Sequence, residues 1–536
     1  MENSNSKIRF YINGEAIFVE PGAKVSGLLK ETSGVDMPCG GRHACGKCMV
    51  YAEGNFPEPS ETERKLLGEG KHRQGIRLAC FLEAVPEGSI RALRERKEDD
   101  KTICLSGADG SEKPRSEEDG SAQRSGKGGS ETAKCENGIR LPSPRRIYRH
   151  LGAAVDIGTT TIAASLHRDG LPAGVMGAWN PQSVLGADVI SRIDASLEGQ
   201  GEKLARLVKN AVSRLLESLC AQAGEEPEGI ETVVITGNTA MLYFLTGKNP
   251  ECLSHAPFEA DELFGIWTSG KELGLCCRFA DIYLPRCISA FVGADITTAL
   301  LGTGICNAKG DSMMVDVGTN GEIVLFRKNR LICCATAAGP AFEGAGLSCG
   351  MRGTDGAVDH VKWADGKWKV HVIGEGNAAG ICGSGVIDGV AGLLESGFLD
   401  ETGYLKEEVC FAGNVGLSAQ DIRQVQLAKS AVRAGMETLL LQAGIGAEEL
   451  DRLYVAGGFG SYMSVESAER IGLFPKIDRQ KIQICGNAAL AGAERILHDS
   501  GCEKEAHELA AGAETVNLGG NPSFQDFYLE HMMFEV

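Results

Sequence analysis

The sequence predicts a multidomain chain: a small N-terminal α+β domain, a polar linker, and a large two-lobed α/β segment. Three observations carry this. Short strand-and-turn patterning fills residues 7 to about 96. Composition then turns polar and glycine-rich over residues 98–149. Beyond that, a strand–Asp-x-Gly-Thr–strand unit occurs twice, at Asp156 and Asp316, 160 residues apart. A chain of 536 residues also exceeds what one hydrophobic core normally serves.

The first domain, residues 1–97, is read from five apolar stretches: KIRFYING, EAIFVE, KCMVYAEG, IRLACFLEAV and SIRAL. Asn13-Gly14 joins the first two and is a strong two-residue hairpin signal. AKVSGLLKETS, residues 23–33, reads as a helix ahead of a cysteine-rich loop.

That loop is CGGRHACGKC, Cys39 to Cys48, and Cys80 follows after 31 more residues. The Cys-x5-Cys-x2-Cys…Cys spacing is one residue longer in its first gap than the plant-type 2Fe-2S pattern. Three thiolates on one loop can wrap a cluster, with glycines letting backbone N–H groups face sulfur. A distant strand then supplies the fourth. Zinc ribbons use two Cys-x-x-Cys pairs, and one is present. A redox dithiol suits a βαβ surround rather than hairpins. A Rieske centre needs two histidines spaced with its cysteines. His43 stands alone here, and with Arg42 reads as a supporting or solvent-facing residue. Cys39, Cys45, Cys48 and Cys80 are therefore expected to hold a 2Fe-2S cluster.

Residues 98–149 are rich in Gly, Ser, Glu and Lys, too polar to offset their ordering entropy by burial. They read as a flexible linker with a root-mean-square span of roughly 40 Å.

From residue 150 onward, β-branched strands alternate with helical stretches. Lobe one is expected over about 150–310 and lobe two over about 311–536. Each Asp-x-Gly-Thr turn offers a carboxylate for a divalent cation and a glycine for close backbone approach. It also offers hydroxyl and N–H groups for phosphate oxygens. A single such turn is usually only a turn. Two copies, each opening half of a duplicated segment, point to a cleft. Each is followed downstream by a strand running into a glycine turn, ETVVITGNTAML and DRLYVAGGFGSY. No P-loop or dinucleotide fingerprint competes, and GICGSG at 380–385 reads as a tight turn at a helix start.

Paired Asp-Gly-Thr hairpins with a late AGGFG resemble the actin, sugar kinase and heat-shock chaperone ATPase superfamily. The resemblance implies two ribonuclease-H-like cores gripping ATP and Mg2+ or another divalent cation. It places Asp156, Gly158, Thr159 and Thr160 in the first phosphate loop, and Asp316, Gly318, Thr319 and Asn320 in the second. Gly457, Gly458 and Phe459 fall on the adenosine side, and Gly237 and Asn238 in the strand–turn of lobe one.

A narrower match exists. FVGADITTALL, DVGTNGEIVL, TAAGPAFEGAGLSCGMRGTDGAV, GICGSGVIDGVAGLL, VAGGFGSYM and CGNAALAGA resemble, in this order, the ATPase domain of reductive activators of corrinoid proteins. The x5 gap of the cysteine loop is similar to the same family, whose N-terminal domain is a β-grasp ferredoxin-like fold. The resemblance implies ATP-dependent, one-electron reduction of inactive cobalt(II) to cobalt(I). The implied partners are a corrinoid protein of a methyltransferase or acetogenic one-carbon system, an external electron donor, and a second copy through the ATPase domain. Ser348 is then a candidate oxygen, and Cys349 a candidate sulfur, for the corrinoid face. The plainer reading of 343–356 is a glycine-rich turn beside the nucleotide. Members can carry a middle domain between ferredoxin and ATPase, where this chain has its linker. Residues alone leave other classes open: a redox-sensing ATPase module, an ATP-gated donor to another metalloenzyme, or a redox-regulated kinase. The last needs a catalytic aspartate that the sequence does not single out.

Charge and composition narrow the setting. A net charge of −18 with no basic stripe argues against nucleic-acid binding. No signal pattern opens the chain and no run of ~18 apolar residues occurs, so a cytoplasmic protein without a membrane span is expected. Nineteen cysteines in that setting read as reduced, mostly buried thiols.

Overall fold

The computed structural model describes residues 7–29, 35, 37, 43, 46–67, 71–93, 146–458 and 462–535. Cys39, Cys45, Phe459 and nearly all of the expected linker lie outside the described residues.

Ile8–Ile12 (β1), Glu15–Val19 (β2), Met49–Glu53 (β3), Ile76–Leu78 (β4) and Ser89–Ala92 (β5) form one mixed sheet, ordered β2-β1-β5-β3-β4. Asn13 and Gly14 turn the first hairpin at φ +50° and +86°, the left-handed pair that a two-residue turn requires. The helix expected over 23–33 is one turn, Val25–Leu28, within the described residues. It has no side-chain cap and contains Gly27, both weakening to a helix. An unexpected helix, Glu61–Leu67, is fixed by buried Glu63. Its carboxylate accepts two 2.9 Å hydrogen bonds from the Arg77 guanidinium and a third, also 2.9 Å, from the Leu78 N–H. Met49 pairs with Leu78 in the β3–β4 register, which sets Cys48 and Cys80 side by side at the strand ends.

The larger segment contains two six-stranded sheets built on one plan. Leu151–Ile157 (β6), Thr161–Arg168 (β7), Leu171–Trp179 (β8), Thr232–Gly237 (β9), Ile266–Ser269 (β10) and Asp281–Leu284 (β11) are ordered β10-β11-β9-β6-β7-β8. Ser312–Val317 (β12), Gly321–Arg327 (β13) and Arg330–Thr336 (β14) open the second sheet. An insertion follows, with Ala357–Ala364 (β15), Lys367–Val372 (β16) and Gly380–Ile381 (β17) in one small sheet and Val409–Ala412 (β18) with Val415–Leu417 (β19) in a hairpin. Arg452–Ala456 (β20), Ile482–Gly486 (β21) and Glu514–Thr515 (β22) then complete the order β21-β20-β12-β13-β14-β22. In each half an antiparallel meander is joined by a parallel strand, β9 or β20, that follows a long helix, Gly201–Ala223 or Ala419–Ala443. The duplication read from the sequence is thus a duplication of architecture. GICGSG forms β17 and the start of helix Gly383–Ser396, as the turn reading expects.

Two helices are exchanged between the halves. Helix Ala294–Thr303 ends the first half, yet Ile296, Ala299 and Leu300 share a core with Met314, Val324 and Tyr454 of the second sheet. Helix Ala488–His498 follows β21 of the second sheet, yet Leu490, Ala493 and Ile496 share a core with Ala154, Ala163 and Val234 of the first. The helices touch through glycine. A Cβ on Gly492 would lie 1.7 Å from the Thr298 carbonyl oxygen, and one on Gly302 would lie 2.2 Å from that of Ala488.

Residues 146–149, expected to be linker, are instead part of the folded segment. Tyr148 is buried, the Ile147 N–H donates to the Leu497 carbonyl at 3.1 Å, and Thr232 Oγ1 donates to the Ile147 carbonyl at 2.9 Å. The apolar Ile147-Tyr148 pair gives this stretch burial that the polar run before it lacks.

Gly492→Ala is expected to lower unfolding free energy by roughly 1–3 kcal/mol, the ordinary cost of overpacking. Gly512→Ala, where a Cβ meets nothing within 4 Å, is expected to be neutral or mildly stabilising in the same denaturant titration.

Candidate functional site

Each Asp-x-Gly-Thr turn is closed by a backbone hydrogen bond from its glycine, the first turn being one residue longer. The Gly158 N–H donates to the Thr161 carbonyl at 3.0 Å, and the Gly318 N–H to the Asn320 carbonyl at 2.9 Å. Asp156 and Asp316 are left near the strand ends, beside Thr236 of β9 and Ala456 of β20. Gly457, just beyond β20, has φ +93°, and a Cβ there would fall 2.6 Å from Asp316 Oδ1. Both conditions require glycine.

The exchanged helices aim their N-termini at these turns. Asp295 lies in the first turn of Ala294–Thr303. Asn487 caps Ala488–His498 by accepting from the Leu490 N–H at 2.8 Å, and its Nδ2 donates to Asp156 Oδ2 at 2.8 Å. Asn238 does the parallel job in the first half. It accepts from the Met241 N–H at 3.0 Å and donates to Thr159 Oγ1 at 3.0 Å. Helix N-termini carry partial positive charge and unpaired N–H groups, which suits an anion in this cleft.

One side chain spans the two turns. The carboxylate of Glu343, which ends the short turn Pro340–Glu343, accepts from the Thr160 hydroxyl of the first turn and from the Thr319 hydroxyl of the second at 2.9 Å. Behind the first turn, fully buried Arg192 donates to the Thr159 carbonyl at 2.6 Å and to the Gly186 carbonyl at 2.9 Å. Burial lowers its pKa to about 10, so it stays protonated, and Asp188 and Glu343 support that charge.

Asp156, Asp295, Asp316, Glu322 and Glu343 are all half-buried. Burial pushes the Asp156 carboxyl up to about 6, against the Asn487 hydrogen bond. Burial, then the charges of Asp156 and Glu343, push Asp316 to about 7. Burial, then Asp156 and Asp316, push Asp295 to about 8, and Glu322 is raised well above its ordinary value by burial and by Asp295 and Asp316. Among the described residues no three His, Cys, Asp or Glu side chains are placed to hold a metal ion by themselves. A cation drawn to this charge must complete its shell with water or phosphate oxygens, the usual habit of Mg2+.

Cys48 and Cys80 are buried with their sulfurs 3.3 Å apart, close enough for one metal to hold both. The Cys80 thiol, opposed by burial, brings the Cys48 pKa down to about 7. The Ala79 N–H donates to the Cys48 carbonyl at 2.8 Å, and His43 Nε2 donates to the Cys80 carbonyl at 2.7 Å while its ring stacks on Phe81. His43 therefore clamps the cysteine loop from outside the thiols.

Segment 343–356 meets both sites. Lys47, next to Cys48, donates through Nζ to the Leu347 carbonyl at 2.7 Å. The N–H of Ser348, an exposed residue, donates to Asp421 Oδ1 at 2.7 Å, and its hydroxyl to Oδ2 at 2.5 Å. Arg352 lies over the Trp179 ring, 4.2 Å from its centroid.

The structure thus gathers Asp156, Gly158, Thr159, Thr160, Asp316, Gly318, Thr319, Asn320 and Gly457 in one cleft and pairs Cys48 with Cys80. Ser348 lies on the segment that leaves the cleft. Sequence reasoning missed Arg192, Asp295, Glu322, Glu343 and Asn487 as site residues. One signal was available: Gly486-Asn487 repeats Gly237-Asn238, each at a strand-to-helix junction.

The raised carboxyls fix a pH dependence. A group whose folded pKa exceeds its unfolded value contributes stability below the unfolded pKa and loses it as pH rises through the folded one. The ligand-free protein should therefore lose stability as pH rises from about 4, the ordinary carboxyl value, to about 8. Asp295→Asn is expected to raise the melting temperature at pH 8 by at least about 3 °C and leave it unchanged at pH 4, read by calorimetry.

A family model for the C-terminal domain of RACo, the ASKHA domain, matches residues 311–536, and one for the RACo middle region matches residues 151–308. The middle region is therefore present, as the first of the two large sheets with its helices, and is not replaced by the linker. The corrinoid activation enzyme RamQ of Eubacterium limosum is 31% identical over 432 residues, which is 74% of this chain and 72% of RamQ. The Co(II) methylated amine-specific corrinoid protein reductase of Methanosarcina barkeri is 26% identical over 416 residues, 70% of this chain and 76% of the reductase. A solved reductive activator for corrinoid, iron-sulfur protein matches at a TM-score of 0.67 and 26% identity, over 98% of both chains. The chain belongs to the RACo family, the reductive activators of corrinoid proteins, and its C-terminal part has the actin-like ASKHA fold of that family.

Proposed function

We propose that this protein is an ATP-dependent reductive activator that returns the cobalt(II) of a corrinoid protein to cobalt(I), one electron at a time. The observation that carries the reading is one segment, 343–352, touching both phosphate-type turns through Glu343 and the cysteine loop through Leu347. Family membership supplies the class of reaction.

The residues fit the groups this function needs. The N-terminal sheet, with Cys48 and Cys80 at adjoining strand ends, fits a ferredoxin-like domain in which Cys39 and Cys45 complete the ligand set. A 2Fe-2S cluster held there would supply single electrons drawn from an external reductant. The cleft offers the hydroxyls of Thr160 and Thr319, the N-termini of the exchanged helices, and carboxylates that suit a phosphate-bound Mg2+.

Each remaining role falls to a side chain. Asp156 and Asp316 lie on opposite halves and would both draw a cation, so a phosphate-bound Mg2+ held by them would favour closure of the halves. Closure rotates the sheets about the exchanged helices. Asp421 accepts the hydroxyl hydrogen of Ser348, which makes the serine oxygen a better electron donor on an exposed residue. That oxygen is suited to approach the cobalt face and alter its axial ligation, making cobalt(I) accessible to the donor.

Two variants separate the halves of this account. Cys48→Ser is expected to lose the visible cluster absorption and cobalt(I) formation while keeping ATP hydrolysis. Asp316→Ala is expected to keep the absorption and lose hydrolysis by at least about 100-fold, the scale of a removed electrostatic catalytic contact. Cobalt(I) formation by Cys48→Ser at the wild-type rate would exclude the cluster from the electron path.

A further inference from the structure

The two hydroxyls assigned to phosphate are already engaged. Thr160 and Thr319 come from opposite halves, and both donate to the single carboxylate of Glu343. A carboxylate between two donors mimics the terminal phosphate of a nucleotide in charge and in acceptor oxygens. Phosphate and Glu343 cannot both take those protons, because each hydroxyl donates once. The five half-buried acids make the contest sharper, since a bound phosphate adds negative charge beside Glu343 unless a cation accompanies it.

The rest of the segment shows where such a displacement would be felt. Four residues on, the Leu347 carbonyl holds Lys47, which adjoins Cys48. Ser348 is tied to the start of helix Ala419–Ala443 through Asp421, and Arg352 covers Trp179 at the end of β8. Leu347 itself is buried, so its carbonyl cannot shift independently of the segment.

We propose that Glu343 is an internal stand-in for the terminal phosphate, and that its displacement by nucleotide loosens the Leu347–Lys47 anchor of the cysteine loop. The proposal rests on the reading of the cleft as a nucleotide site. It assigns Glu343 a positioning role in binding and gives ATP a direct mechanical effect on the electron carrier. Coupling of this kind is reciprocal: whatever loosens the anchor must also tighten nucleotide binding.

The test uses the full chain with its cysteine site loaded, and titrates adenylyl imidodiphosphate with Mg2+ by calorimetry. Glu343→Gln keeps acceptor capacity but removes the charge, and Glu343→Ala removes the side chain. Both are expected to bind the analogue about five- to tenfold more tightly than wild type. Lys47→Met, remote from the cleft in sequence, is expected to tighten binding a few-fold by removing the anchor. Visible absorption of the cluster serves as the check on folding. Equal or weaker binding by both Glu343 variants overturns the stand-in. Tighter binding by those variants with no change in Lys47→Met overturns the coupling to the cysteine loop. Failure of wild type to bind the analogue would instead sink the nucleotide reading itself.

Discussion

The exchange of two helices between the sheets is the constraint on which the rest depends. Ala294–Thr303 shares a core with the second sheet while keeping contact with β9 of its own through Thr298 and Thr236, and Ala488–His498 packs on the first sheet; the two helices touch through Gly302 and Gly492. Their N-termini are thereby forced to the turns at Asp156 and Asp316. Asn487 of the second half reaches Asp156 of the first only because its helix lies on the first sheet.

That packing gathers negative charge that the ligand-free protein cannot comfortably hold. Three aspartates with pKa values raised to about 6, 7 and 8 mean that near neutral pH the cleft takes up protons or draws cations. On the proposed function, a phosphate-bound divalent cation would offset this charge in place of protons. Glu343 occupies the hydroxyls in the meantime. The arrangement ties the charge state of the cleft to segment 343–352 and, through Lys47, to the thiols of the N-terminal sheet.

Much of this was legible in the sequence, for local reasons. The turns at Asp156 and Asp316 are hairpins whose strands and turn residues lie within a few positions of one another. Asn13-Gly14 and the β1–β5 strands were readable for the same cause. Cys48 and Cys80 were matched by spacing, and the β3–β4 register supplies the contact. Glu343, Asp295 and Asn487 were not legible as site residues, because nothing local distinguishes them from a turn glutamate or a helix cap. Their partners lie in the opposite half of the fold. Of the helix expected over 23–33, the described residues form one turn, since Gly27 and the absent cap oppose it. The linker edge was overrun because Ile147 and Tyr148 are too short a run to stand out against a polar background. The first large sheet was rightly seen as half of a duplication, while its match to the RACo middle region came only from comparison.

The central claim is that nucleotide occupancy of the cleft and electron delivery from the cysteine domain are one coupled process. The most direct measurement loads the cluster by chemical reduction, removes excess reductant, and adds a cobalt(II) corrinoid protein in stopped flow, with and without ATP and Mg2+. The account predicts one cobalt(I) formed per reduced cluster, only when nucleotide is present, with cluster oxidation and cobalt reduction sharing one rate constant. Equally fast cobalt(I) formation in the absence of nucleotide would contradict it.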